Sequence, residues 1–80
     1  MKLEIITPEK TLYEGNIKSI NVPGSKGSFT VLRNHAPLIS TLTKGVLKIT
    51  TEELKTEIIE IQGGVIEVKK NMIILLADLV

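Results

Sequence analysis

The chain has 80 residues, no cysteine, and a formal net charge of +1 from ten Lys/Arg and nine Asp/Glu. That length makes one domain over 1–80 with a modest core, and the absent thiols exclude disulfides and any thiolate metal site and fit a reducing compartment. Interspersed charges, with Lys69-Lys70 the lone basic doublet and only one Phe and one Tyr, exclude a nucleic-acid stripe or stacking platform, so the lysines read as solvated strand faces.

The opening Met1-Lys-Leu-Glu-Ile-Ile carries an early acid and soon meets Pro8, so no secretory signal is expected. The longest apolar run, Met72–Ala77, is far too short to span a bilayer. A soluble protein is expected, or one carried to a membrane by something else.

Lys2–Thr7 is β-branched, partly alternating, and ended by Pro8. Glu9–Tyr13 is a short segment that stops at the turn signal Glu14-Gly15. Asn16–Val22 alternates as a strand and is broken by Pro23-Gly24. Ser28–Leu32 and Ala36–Leu42 are the next strands, and Thr43-Lys44-Gly45 turns into Val46–Thr51.

Thr51–Ile61 is ambiguous. Thr50 with Glu53 imitates a capping box, and Leu54, Ile58 and Ile61 recur at helical spacing. Alternation through Glu57–Ile61 and the abrupt Gly63-Gly64 favour a hairpin of Val46–Thr51 with Lys55–Gln62. Val65–Lys69 and Met72–Ala77 form a last hairpin about Lys70-Asn71, its second strand apolar on both faces and so expected to be covered twice. The sum is all-β: a flattened antiparallel β-sandwich of about eight to ten short strands.

Chemistry is sparse. One His, several Ser/Thr and Asp78 offer no nucleophile elbow, and one His cannot build a structural metal site. Gly24-Ser-Lys-Gly lacks the Lys-Ser/Thr ending of a phosphate loop and reads as a tight turn. No enzyme, cofactor or small-molecule substrate is expected.

The most specific stretch is Gly24–Leu38. His35 has two readings: a turn histidine whose ring bonds a neighbouring carbonyl, or a contact at a partner surface. Asn34 suits a left-handed backbone, and Pro37 keeps Ala36 extended, which makes a rigid protruding corner.

An ordered series of stretches resembles the epsilon subunit family of F-type ATP synthases, the counterpart of the mitochondrial delta subunit. Leu3-Glu-Ile-Ile-Thr-Pro-Glu-Lys10 is similar to its opening strand and turn, and Tyr13-Glu-Gly15 to its aromatic-x-Gly step. Pro23–Leu38 resembles the family's G-x-x-G-x-[FL]-G-[VI]-L-P-G-H-A-P-L. Gly45-Val46-Leu47, Gly63-Gly64 with Val65–Val68, and Ala77-Asp78 follow in order. Thr30 stands where the family has Gly, and Arg33-Asn34 replace Pro-Gly, with Asn34 supplying the glycine-like backbone.

The resemblance implies a non-catalytic central-stalk subunit that binds the gamma subunit on one side and the c-ring on the other. It would couple ion-driven ring rotation to the shaft and to ATP synthesis. It implies a peripheral place at the cytoplasmic face of a bacterial inner membrane, without direct lipid insertion. The partner-binding residues it suggests are Ser28, Arg33, Asn34, His35 and Pro37, with Thr7 and Pro8 for gamma. The family's two C-terminal helices do not follow before Val80; if the chain is complete as given, the resemblance implies a short, coupling-only subunit, without the inhibitory hairpin or its ATP motif. Two other readings stay open. One is a biotinyl or lipoyl carrier domain, although neither Lys44 nor Lys55 has the carrier context. The other is a generic β-sandwich interaction module.

Overall fold

Apolar side chains at alternate positions draw the chain into strands with one buried face. The computed structural model describes residues 1–79; Val80 lies outside the described residues. Seven strands form: β1 (Lys2–Ile6), β2 (Thr11–Val22), β3 (Phe29–Val31), β4 (Leu38–Leu42), β5 (Gly45–Thr51), β6 (Thr56–Lys69) and β7 (Met72–Leu79). The described residues contain no helix.

The order β1-β7-β6-β5-β2 closes on itself because β1 also pairs with β2. β3 adds to β2, and β4 adds to β6. Both long strands serve two sheets. β2 pairs with β1 through its first half and with β5 and β3 through its second. β6 pairs first with β5, then with β7 and β4. The passages carry register shifts at Ile17/Ser19 and Ile61/Gly63, where an extra residue bends a strand toward the second sheet. One sheet is β2–β1–β7–β6–β4 and the other β3–β2–β5–β6, face to face.

Between them lie Leu3, Ile5, Ile17, Ile20, Leu47, Ile49, Ile61, Ile66, Ile73 and Leu75, all fully buried. Each such side chain contributes about 1.5–3 kcal/mol of transfer free energy, set against the entropy of ordering the chain. No buried side-chain polar atom among the described residues lacks a partner.

The all-β sandwich expectation holds, with corrections inside it. The strands number seven because two expected breaks are absent. Glu14-Gly15 is mid-strand in β2: Gly15 pairs with Leu3, and ladder pairing with β1 outweighs the turn signal. Gly63-Gly64 likewise lies inside β6, as a bend. Gly64 is required there, since a Cβ would run into the Leu76 carbonyl. β1 and β7 run parallel, the exception in an otherwise antiparallel fold. β4 begins at Leu38, after Pro37, which has no N–H to give a ladder. The hairpin of β5 with β6 forms from Gly45↔Ile61 to Thr50↔Thr56, so alternation prevails over the helical spacing. β7 is covered on one face only: Ile73, Leu75 and Ala77 are buried, but Leu76 is 51% exposed.

Candidate partner interface

The most particular residues converge at an open seam. β3 and β4 are the edge strands of the two sheets, each paired on one side only. They meet through the turn that precedes β3. There Gly24 bridges Leu42, the Ser25 N–H donates to the Thr41 carbonyl (3.0 Å), and the Thr43 N–H donates to the Pro23 carbonyl (2.8 Å). Thr41 Oγ1 donates to Ser25 Oγ (2.9 Å), and the Gly27 N–H closes the turn on the Gly24 carbonyl (2.9 Å). Gly24 is fixed by space: a Cβ would lie 2.6 Å from the Gly27 oxygen and 2.8 Å from the Phe29 ring.

At the other end of β3 the chain turns through the corner. The His35 N–H donates to the Leu32 carbonyl (3.1 Å), and Asn34 takes φ 64°. The expected left-handed asparagine is therefore observed. The His35 ring contacts the Ala36 carbonyl through Nδ1 at 2.7 Å, the neighbouring-carbonyl arrangement that its turn reading describes. A carbonyl only accepts, so Nδ1 is the donor, and in the neutral ring Nε2 is left as an acceptor.

Turn and corner wall one cleft of about 670 Å³. Phe29, Leu38 and Ile39 supply apolar lining; Lys26, His35, Ser40 and Thr41 supply polar groups. The arrangement can take an apolar segment with hydrogen-bonding ends. It brings His35 together with the turn that ends at Ser28. Ser28, Arg33, Asn34 and Pro37 are exposed around it. Arg33 also borders a second hollow with Met1, Leu32 and Glu52.

Thr7 and Pro8 lie elsewhere, beyond the far end of β1. Thr7 is buried, and its hydroxyl is used locally: Oγ1 donates to the Lys10 carbonyl (2.9 Å) and accepts the Lys10 N–H (3.2 Å). Pro8 is exposed, and both residues line a groove of about 330 Å³ with Ile6, Val65 and Leu76.

Two features escaped the sequence. Ile6, Leu76 and Val65 stand side by side on the outer face of their sheet, with Ile74 and the 73% exposed Ile39 in the neighbouring row. The two-faced apolar pattern of β7 was its signal. The other is Asn71, whose side chain reaches Asn34 across the fold. Nothing local in the sequence announces that contact.

No group of three or more His, Asp or Glu side chains that could hold a metal ion forms among the described residues. Burial, then the charges of Glu57 and Glu53, push the Tyr13 phenol above the ordinary value.

A family model described as the ATP synthase delta/epsilon chain β-sandwich domain matches residues 1–80. The chain belongs to this family. The family resemblance read in the sequence is borne out. Among relatives of this delta/epsilon family, the ATP synthase epsilon chain of Leptospira interrogans (strain Fiocruz L1-130) is 46% identical over 98% of this chain and 61% of its own length. That of Leptospira borgpetersenii is 49% identical with the same coverage, and that of Campylobacter jejuni subsp. doylei is 43% identical over 96% of this chain and 60% of its own. The chain thus spans about three-fifths of the length of these relatives. Among solved structures, a chain of the Euglena gracilis mitochondrial ATP synthase (OSCP/F1/c-ring, rotational state 1) matches with TM-score 0.89 and 19% identity, over 94% of this chain and 48% of that one. A chain of the Tetrahymena thermophila central stalk/c-ring structure matches with TM-score 0.82 and 18% identity, over 98% and 63%. At those identities the two structures support the fold alone.

Proposed function

We propose that this chain is a non-catalytic subunit of the ATP synthase central stalk. It couples ion-driven rotation of the membrane c-ring to the gamma shaft and so to ATP synthesis. Family membership over the whole chain supports this reading. The structural observation that carries it is the seam cleft, walled by a turn and a corner that are both fixed by backbone hydrogen bonds.

A coupling subunit must pass force without deforming. Close-packed interiors resist compression, and a contact surface bonded to them moves as one body with the core. The Gly24–Ser28 turn and the Arg33–Pro37 corner, with Ser28 and His35 foremost, are assigned to the c-ring and gamma. Thr7 and Pro8, with their groove, are assigned to gamma. The subunit acts at the cytoplasmic face of a bacterial inner membrane, held there by its partners, and uses no cofactor or substrate of its own.

The test is co-migration of the tagged chain with purified gamma subunit and c-ring from the same source on a native gel. Binding to gamma is expected. Ser28→Glu or His35→Ala should weaken binding to the partner at that site by at least about fivefold, with the melting temperature retained. In reconstituted vesicles Ser28→Glu should lower ATP-driven ion pumping. A well-folded chain that does not bind gamma would overturn the proposal.

A further inference from the structure

The corner that carries His35 is held from outside its own loop. The Asn34 N–H donates to Asn71 Oδ1 at 2.9 Å, and Asn71 Nδ2 donates back to Asn34 Oδ1 at 3.3 Å. The Asn71 backbone carbonyl accepts the Lys2 N–H at 2.9 Å. One residue at the tip of the β6–β7 hairpin thus ties the start of β1 and the β3–β4 corner to itself.

The choice of residue is informative. Lys70 and Asn71 form a two-residue hairpin turn with φ 51° and 60°. Turns of this mirror-image type favour glycine at the second position, because its backbone enters the left-handed region without a Cβ penalty. Asn71 stands where the turn alone would take glycine, and both polar atoms of its side chain are engaged with Asn34. Asn34 is itself left-handed and directly precedes His35, whose N–H and ring are anchored on Leu32 and Ala36. A shift of Asn34 therefore carries the histidine that lines the cleft.

We propose that Asn71 is a positioning residue for the His35 corner: it holds the corner in its partner-ready geometry while touching no partner itself. This rests on the partner-binding reading of the corner. A residue serving only its hairpin would be replaceable by glycine at no cost to the corner.

The experiment uses the full chain with Asn71→Gly and Asn71→Asp. Glycine keeps the left-handed turn and the backbone bond to Lys2, so the fold survives and the side-chain clasp alone is lost. Amide exchange at Asn34 and His35 should quicken roughly two- to tenfold in Asn71→Gly, the fold-change one ordinary hydrogen bond is worth, while amides of β5 stay as they were. Affinity for purified gamma subunit should fall by a similar factor. Asn71→Asp keeps the acceptor for the Asn34 N–H and should recover most of both effects. Unchanged exchange in Asn71→Gly overturns the proposal. So does faster exchange with undiminished binding in a chain whose wild type binds gamma. A wild type that ignores gamma defeats the central-stalk reading and the binding half of this proposal; the exchange measurement still decides whether Asn71 orders the corner.

Discussion

Both long strands change sheets, yet they bend by different means. β6 turns at Gly63-Gly64 with Gly64 pressed on the Leu76 carbonyl. β2 turns at Ile17/Ser19, beyond Gly15, and a Cβ added at Gly15 would meet nothing nearer than the Tyr13 side chain at 3.9 Å. One bend needs its glycine for lack of space, while the glycine before the other is merely tolerated. The same residue type therefore marks a tight backbone crossing in one place and a loosely packed neighbourhood in the other. The loose bend also pairs Ile17 with Thr51, at the base of the β5–β6 hairpin tip, where Leu54 adopts φ 64° while 68% exposed.

The largest effect should come from placing one methyl at each of these glycines. Gly64→Ala must displace backbone and should cost about 2–4 kcal/mol, read as a lower urea midpoint. Gly15→Ala should leave stability unchanged or raise it by about 0.5 kcal/mol, since glycine within a strand carries an entropic cost. Equal losses at both sites would erase the contrast. Next in size is Leu54→Gly. It removes a left-handed leucine with little burial to lose and should stabilise by about 0.5–1 kcal/mol, a rise of a few degrees in melting temperature for a domain of this size. A loss instead would mean that Leu54 packs in a way its exposure does not suggest.

The smallest effect belongs to Tyr13 beside the loose bend. Its phenol titrates above the ordinary value when folded, through burial first and then Glu57 and Glu53. The folded chain thus keeps a proton that the unfolded chain has already released. That share of stability is whole below the ordinary phenol value and drains away as pH rises from there through the folded value. Tyr13→Phe should flatten this alkaline decline. Because the chain has one Tyr and no Trp, absorbance can follow the phenol directly, and Glu57→Gln should shift its titration downward.

Much of the fold was legible because alternation is written locally. The β5–β6 hairpin and the Lys70-Asn71 turn follow from residues within a few positions of each other. The left-handed Asn34 was legible for the same reason: the penalty belongs to the residue itself. What could not be read depends on neighbours distant in sequence. Gly15 and Gly64 are mid-strand because of partners on β1 and β7. The cleft exists because β3 and β4 belong to different sheets, a fact of topology rather than of either segment. The Asn34–Asn71 clasp spans 37 positions, and neither asparagine carries a local sign of the other.

The parallel pairing of β1 with β7 joins the first strand of the fold to the last. On the ribosome, β1 emerges early and finds β2, but its other edge stays unsatisfied until Met72–Leu79 has been synthesised. The sandwich cannot close vectorially, one hairpin at a time. Its closing seam waits for the end of this domain, and until then a strand edge rich in isoleucine stands open to whatever meets it first.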